Sequence, residues 1–260
     1  MITIPTSPFR LILFIMCEMN SSGKAGWRDR KERFAVVLVR PENPENVGLV
    51  ARSMKNTGFE ELRLVQVAGI DPKSRKTAVH ARDILERARL YPDLDAAVGD
   101  LHLVFAATSK RRKNFPVISL KEAVEEMLRY SPATRIGLLF GNERTGLTSE
   151  EMRSSNYRFM IPQAGKQPSY NLAAAALLTL FHVFSHEVVK EVEAREKPLP
   201  RKAQEECIRL ILDKLEKRKF LHETNRRHMT DMIYDLFGRI ALTEKDRKLV
   251  LALFSKAVDG

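Results

Sequence analysis

Residues 157–190 read YRFMIPQAGKQPSYNLAAAALLTLFHVFSHEVVK, a short apolar run followed by a broken loop and a long Ala/Leu segment. Because Ser and Asn side chains cap helix starts, Ser169 and Asn171 predict a helix that opens there and runs to about Val189. The run from Tyr157 to Ile161 predicts a strand. A strand ending in a loop rich in Gly, Ser and Asn is typical of ligand sites in parallel α/β proteins, although a plain strand-to-helix connection has the same outline.

Four further apolar runs upstream predict strands at residues 34–39, 62–67, 101–107 and 135–140. The first, FAVVLV, is apolar throughout, as expected of a strand buried on both faces. Helical patterns lie between the strands, at 47–57, 77–88, 119–130 and just after Thr148 or Ser149. Gly58 fits a helix C-cap, and Ser119 with Glu122 fits a capping box. Alternating strands and helices predict an α/β domain with a parallel sheet.

The chain of 260 residues divides into four predicted parts. Residues 1–33 form a poorly ordered extension, within which Met16 or Met19 is an alternative start, so that residues 1–18 need not be translated. Residues 34–190 form the α/β domain. The charged, proline-containing segment 191–202 is predicted to be a linker. Residues 203–260 form a helical module with three predicted helices, at about 203–219, 227–239 and 243–256.

The composition points to a polyanionic partner. The formal net charge is +11 and the sequence pI is about 9.7, which favours nucleic acid first and an anionic membrane surface second. A basic protein without such a partner is the alternative. The two cysteines, Cys17 and Cys207, form neither a disulfide framework nor metal-ligand spacing, so we expect no metal and a cytoplasmic location. The apolar run 11–17 is too short to cross a membrane.

Three loops that follow predicted strands carry most of the polar residues of interest. They are residues 46–52 (NVGLVAR), 141–147 (GNERTGL) and 169–171 (SYN). Each loop alone also has an ordinary structural explanation, such as an Arg exposed on the surface or an acidic residue that complements a helix dipole. No GxGxxG or GxxxxGK[ST] motif follows any strand, so the sequence contains neither the usual signature of a dinucleotide-binding site nor that of a P-loop.

These residues carry a family resemblance. The segments NVGLVARSMKNTGF (46–59), LLFGNERTGLT (138–148) and IPQAGKQPSYNLAAAA (161–176) resemble the three motifs of the SpoU/TrmH branch of the SPOUT RNA methyltransferases. The tail, with LDKLEKRKFL (212–221) and MIYDLFGR (232–239), resembles the TrmJ subfamily, which methylates the ribose 2′-hydroxyl of tRNA nucleotide 32. The resemblance implies a parallel-sheet SPOUT fold with a deep trefoil knot, S-adenosylmethionine as cofactor, tRNA as substrate and a homodimer.

The resemblance also implies site residues, matched motif by motif. The candidate catalytic set is Asn46, Arg52, Glu143, Ser169 and Asn171. The cofactor would be held by Thr108, Gly141, Asn142, Glu143, Ile161, Ser169, Asn171 and Leu172. Related enzymes often have Leu where this chain has Tyr170, which puts the shape of the pocket in question. Catalytic Arg and cofactor would come from different protomers.

The role of Arg52 stays open at this point. The family's proposed base is this arginine, but arginine side chains titrate near 12.5–13.8, so a neutral guanidine near pH 7 costs about 7–9 kcal/mol. A charged Arg52 that binds phosphate and polarises the 2′-hydroxyl is the alternative.

Basic loops would bind the RNA backbone. The predicted RNA-binding residues are Lys73, Arg75, Lys76, Lys110, Arg111, Arg112 and Lys113. The helical module adds further cations, which could equally be ordinary solvated charge. The target could also be another tRNA position or ribosomal RNA. An alternative from another functional class is a protein that binds RNA without catalysis. Whether the base is cytidine only, or cytidine and uridine, does not follow from the sequence.

Overall fold

The computed structural model describes residues 31–109, 116–164, 169–186 and 195–256, and within them seven strands form one sheet. The strands are β1 (Phe34–Val39), β2 (Glu61–Val65), β3 (Arg89–Tyr91), β4 (Leu103–Ala107), β5 (Ile118–Ser119), β6 (Ile136–Phe140) and β7 (Tyr157–Met160). Their order across the sheet is β3-β2-β1-β6-β4-β7-β5, and every neighbouring pair is parallel. The predicted parallel α/β fold is confirmed.

Ten α-helices accompany these strands in the described ranges. They are α1 (Pro44–Thr57), α2 (Pro72–Ala78), α3 (Arg82–Glu86), α4 (Leu94–Val98), α5 (Leu120–Arg129), α6 (Ser149–Arg153), α7 (Leu172–Ser185), α8 (Arg201–Lys217), α9 (Arg226–Arg239) and α10 (Glu244–Lys256). A 3₁₀ turn, Val79–Ala81, joins α2 to α3.

The sheet lies between two layers of apolar side chains. All six residues of β1 are buried, since alternate side chains enter opposite layers. Phe34, Val36 and Leu38 pack with residues of α1, α3, α5 and α7 on one face. The other face of β1 packs with residues of α4 and α6. This double burial explains why β1 is apolar throughout.

Local signals set the start and end of α1. The Asn43 side chain accepts a hydrogen bond from the Glu45 N–H at 2.9 Å, Pro44 occupies the first helical turn, and Gly58 ends the helix with φ 81°. Because β1, β6, β4 and β7 are consecutive neighbours, the loops that follow them meet at one edge of the sheet. We call this the carboxyl edge.

One predicted element was wrong. A helix was expected at residues 77–88, after a basic loop, but the chain instead forms α2, the 3₁₀ turn and α3. The Asp71 side chain accepts from the Lys73 N–H at 2.7 Å and Pro72 opens the helix, so Lys73, Arg75 and Lys76 lie on α2 and not in a loop. The short strands β3 and β5 and helix α4 were not predicted. The N-terminal residues 1–30 and the predicted basic residues 110–113 lie outside the described ranges.

The C-terminal helices α8 to α10 share a small apolar core. Its buried members are Leu199, Cys207, Ile208, Ile211, Phe237 and Leu242. The start of α8 lies against the amino end of β4, where the N–H of Arg201 donates to the Leu101 carbonyl at 2.8 Å. The Asn156 side chain also donates to the Gly238 carbonyl at 3.2 Å. Within this structure the module therefore packs on the sheet domain.

Candidate functional site

A pocket of about 420 Å³ opens at the carboxyl edge of the sheet. Seven of the eight predicted cofactor residues line it: Thr108, Gly141, Asn142, Glu143, Ile161, Ser169 and Leu172. They come from the ends of β4, β6 and β7 and the start of α7, so the parallel topology brings the separate motifs together. The eighth, Asn171, does not line the pocket. Further lining residues, which the sequence did not single out, include Ser109, Phe140, Thr145 and Leu147.

The loop after β6 is held in shape by Asn142. Its side-chain oxygen accepts from the N–H groups of Arg144 and Thr145, both at 3.0 Å, and its side-chain nitrogen donates to the Arg40 carbonyl at 2.8 Å. Gly141 has no room for a side chain, because a Cβ there would lie 2.5 Å from the backbone of Gly146. This loop therefore forms a tightly folded wall of the pocket. The side-chain amide of Asn142 is fully engaged in hydrogen bonds that support the loop.

Three predicted catalytic residues form a chain of hydrogen bonds. The Asn171 side-chain nitrogen donates to the Asn46 Oδ1 at 3.0 Å, and the Asn46 nitrogen donates to the Glu143 Oε1 at 2.8 Å. Asn171 also caps α7, since its Oδ1 accepts from the Ala173 N–H at 2.9 Å. The chain joins α1, the loop after β6 and the start of α7.

Glu143 is the best-satisfied member of this chain. Its carboxylate also accepts from the backbone N–H groups of Glu42 at 2.8 Å and Asn43 at 3.2 Å. Partial burial alone would raise the pKa of Glu143, but the hydrogen bonds from Asn46 and from the backbone outweigh it, so its pKa lies below the ordinary value. An ionised, fully bonded carboxylate is a poor proton acceptor. Its geometry suits positioning.

The remaining two catalytic candidates lie apart from the chain. Ser169 is exposed on the pocket wall. Arg52 is exposed on α1 and does not line the pocket, and among the described residues it forms no ion pair. Tyr170, also on the wall, donates from its hydroxyl to the Pro162 carbonyl at 3.0 Å. Within a single chain, Arg52 therefore lies outside the pocket.

The predicted RNA-binding cations on α2 lie next to α1. Lys73, Arg75 and Lys76 are all exposed. Helix α2 packs directly on α1, because the Thr77 hydroxyl donates to the Glu45 carbonyl at 3.0 Å and a Cβ at Gly48 would lie 2.0 Å from that hydroxyl oxygen. The two helices therefore carry Arg52 and the α2 cations on one rigid unit.

Arg40 supports the site and was missed. Its carbonyl holds Asn142, its N–H donates to the Val65 carbonyl at 3.0 Å, and its guanidinium pairs with Glu151. It does this with φ 47°, a strained value for a residue other than glycine. An arginine directly after a buried strand was the available signal. Within the described ranges no group of three or more His, Cys, Asp or Glu residues could hold a metal ion.

Comparisons with known proteins agree with this geometry. The profile of the SpoU rRNA Methylase family matches residues 33–181. The tRNA (cytidine-2'-O-)-methyltransferase TrmJ of Methanocaldococcus jannaschii is 31% identical over 227 residues, which cover 85% of this chain and 97% of that protein. The tRNA (cytidine/uridine/adenosine-2'-O-)-methyltransferase TrmJ of Pseudomonas aeruginosa is 34% identical over 157 residues, 58% of this chain and 60% of that one.

A solved structure extends the likeness beyond the sheet domain. The crystal structure of TrmJ from Z. mobilis ZM4 superposes with a TM-score of 0.73 at 25% identity, covering 86% of this chain and 99% of that one. This coverage exceeds the share of the chain in the sheet domain, so the similarity includes part of the C-terminal region.

Proposed function

The chain belongs to the SpoU rRNA Methylase family, and from that membership we propose that it is an S-adenosylmethionine-dependent tRNA 2′-O-methyltransferase whose target is nucleotide 32. The relatives named above carry tRNA 2′-O-methyltransferase names over 85% and 58% of this chain. Nucleotide 32 rests on the resemblance of the tail. Another tRNA position, or ribosomal RNA, would leave the chemistry the same.

The observation that carries the proposal is the pocket at the carboxyl edge. Its volume of about 420 Å³ lies within the range of roughly 300–1,000 Å³ typical of small-molecule sites. Apolar side chains of Ile161, Leu147 and Leu172 offer a surface for a purine ring, and Thr108 and Ser169 offer hydroxyl groups for polar atoms. This mixture fits S-adenosylmethionine, which when bound supplies an electrophilic methyl group.

The side chains of this chain would then position the acceptor and assist the loss of its proton. Asn46, Glu143 and Asn171 fix the loops that form the pocket, and their mutual hydrogen bonds leave them few groups for substrate. We therefore assign them positioning roles. Arg52 is exposed, and no described carboxylate pairs with it. A charged guanidinium in that setting would bind a phosphate and stabilise the oxyanion developing at the 2′-oxygen, with the proton passing to solvent.

We further propose that Arg52 acts in the pocket of a second copy. Helices α1 and α7 are in contact, and together they expose the apolar side chains of Leu49, Leu177 and Phe181, the last with 55% exposure. Bulky apolar residues exposed on two adjoining helices are typical of a subunit interface. Arg52 lies one helical turn from Leu49 on this face. Pairing two copies through it would bring the arginine of one toward the pocket of the other.

We also propose a trefoil knot, a cytoplasmic location and a division of the chain at residues 34–190, 191–202 and 203–260. Within the described ranges, none of the helices combines the length and apolar character needed to cross a membrane.

The test is methyl transfer from labelled S-adenosylmethionine to unmodified tRNA transcripts, with mapping of the alkali-resistant linkage. We expect one resistant linkage, at nucleotide 32. A linkage elsewhere would move the target but keep the chemistry. Cofactor binding without transfer to any tRNA would direct the search to ribosomal RNA. If calorimetry shows no binding at millimolar S-adenosylmethionine, the proposed enzyme is wrong.

A further inference from the structure

The turn between α8 and α9 has an unusual surface for a helical module. Residues 214–228, here called the 220 turn, contain six Lys or Arg residues and two Glu residues. At its tip the ring of Phe220 is 53% exposed. Exposed cations around an exposed aromatic ring do not serve the apolar core of the module, so this surface calls for a separate explanation.

The backbone of the tip is fixed, although its side chains are exposed. The Phe220 N–H donates to the Leu215 carbonyl at 3.0 Å, and the Phe220 carbonyl accepts from the Asn225 side chain at 2.9 Å. Asn225 also accepts from the His222 N–H at 2.9 Å, and Lys219 adopts φ 62°. The ring of Phe220 is therefore presented to solvent by a structured turn, which lowers the entropy lost when a partner packs on it.

The charges at the start of α9 oppose the helix dipole. Arg226 and Arg227 occupy the first turn, which contains no acidic residue, and no side chain caps the helix. Cations there are unfavourable because the N-terminal end of a helix is itself positive. Glu216 neutralises Arg226 through an ion pair at 2.6 Å. Arg227 and Lys219 form no ion pair with any described residue. A bound anion would relieve this local repulsion.

We propose that the 220 turn binds unpaired nucleotides of the RNA substrate. A base stacks on Phe220, and Lys219 and Arg227 contact the adjoining phosphates. This combination of an aromatic ring and flanking cations is how proteins bind single-stranded nucleic acid, whereas a free anion would need no aromatic ring. The inference rests on the proposed function, since it assigns this surface to the same RNA.

The alternative partner is protein, because the module also exposes Leu253, with 60% exposure, and other apolar side chains on α9 and α10. The charge of the 220 turn favours RNA. Charged residues are depleted from the cores of protein interfaces, whereas Lys219 and Arg227 lie exposed in the same turn as Phe220.

The test uses the full-length protein and an unmodified tRNA transcript. Phe220→Ala should weaken tRNA binding by roughly tenfold, the effect of losing one stacked base. Arg227→Gln should weaken binding and reduce the slope of log affinity against log salt by about one. Leu253→Ala and Arg89→Gln are matched controls, one apolar and one cationic, and should leave tRNA binding unchanged.

A spectroscopic readout separates stacking from a general structural effect. In a Trp27→Phe background, which removes the single tryptophan, Phe220→Trp should report quenching when an unpaired RNA oligonucleotide is added. Unchanged affinity in Phe220→Ala, with the unsubstituted enzyme still methylating tRNA, would overturn the inference and leave the proposed function intact. Loss of dimer content in Phe220→Ala, measured by sedimentation without RNA, would assign the ring to a protein interface and equally overturn it.

Discussion

The two edges of the sheet carry polar networks of opposite kinds. At the opposite edge, here called the amino edge because the strands begin there, the fully buried Arg63 donates to Glu61 at 2.8 Å and to Asp100 at 2.9 Å. Arg135 pairs with both carboxylates. Each charge of this four-residue cluster meets an opposite charge. At the carboxyl edge the carboxylate of Glu143 is held by amides and backbone N–H groups, beside an open pocket.

The difference separates stabilising residues from functional ones. Ion pairs close the amino edge, so substitutions there should change stability and leave the chemistry of folded molecules intact. At the carboxyl edge neutral donors hold the Glu143 carboxylate, beside a pocket that leaves space for a ligand. Substitutions there should lower the activity of molecules that remain folded. The predictions below test this division.

The largest effect is expected for Arg52→Ala. Methyl transfer should fall by at least about 100-fold, since the substitution removes the guanidinium that we propose stabilises the developing 2′-oxyanion. The free energy of unfolding should change by less than about 0.5 kcal/mol because Arg52 is exposed and unpaired among the described residues. Lys55→Ala, on the same helix and paired only with surface Asp83, is the control and should keep its activity. Equal losses in both variants would contradict a specific role for Arg52.

The opposite pattern is expected for Arg63→Met at the amino edge. Removing the buried guanidinium leaves two carboxylates close together and should lower the free energy of unfolding by about 3 kcal/mol. Activity per folded molecule should not change. Arg87→Met removes a surface ion pair at 2.7 Å to Asp83 and should cost less than about 1 kcal/mol in denaturant unfolding. A stable Arg63→Met variant with low activity would contradict the proposed division between a stabilising amino edge and a functional carboxyl edge.

Glu143→Gln should lower activity, because Glu143 supports the loops that form the pocket. The amide that replaces one carboxylate oxygen faces donors on Asn46 and on the backbone, so the pocket loops lose a charge-assisted hydrogen bond worth about 1.5–3 kcal/mol. We expect methyl transfer to fall by at least about tenfold, with cofactor affinity falling in parallel in calorimetry. The exposed neighbour Glu150, changed to Gln, should have no effect.

A gradual loss of stability is expected at low pH. Burial, aided by Lys197 and Arg135, lowers the pKa of His102 from 6.5 to about 4, and its Nδ1 accepts from the Arg135 N–H at 2.9 Å. The neutral ring favours the folded state, so this stabilisation is complete above pH 6.5 and is lost as the pH falls towards 4. The loss should be of the order of 1–3 kcal/mol. His102→Asn keeps an acceptor and should flatten the stability curve over this range, and an unchanged curve would contradict the assignment.

Much of this architecture could be predicted from local patterns. Strand β1 was predicted with its observed bounds because an uninterrupted apolar run has few alternatives. The helix ends at Gly58, Ser119 and Asn171 were predicted because capping chemistry is local. In contrast, β3 has three residues and β5 two, and neither has a buried apolar pattern, so only pairing with neighbours makes them strands.

The identities of the site residues could be predicted from sequence motifs. Their contacts could not, because those contacts depend on how distant parts of the chain fold together. Sequence motifs identified Asn46, Glu143 and Asn171, but their hydrogen-bond chain spans more than 120 residues and depends on the order of the strands. Arg40 was missed because its role lies in its backbone conformation and in a partner more than 100 residues away. The α2 cations were predicted in a loop, although Asp71 and Pro72 directly before them form a local helix-opening signal.

The central claim is that a pocket from one copy and Arg52 from another form each active site. Co-expressing Arg52→Ala with Asn142→Ala, which disrupts the pocket wall, tests it most directly. Each variant alone should be inactive, because every site in its dimers carries the same defect. In the mixture, half of the dimers are mixed and each contains one intact site, so the activity should recover to about a quarter of the unsubstituted enzyme. A mixture as inactive as its parts, with mixed dimers verified by affinity tags, would show that Arg52 serves its own pocket and would contradict the claim.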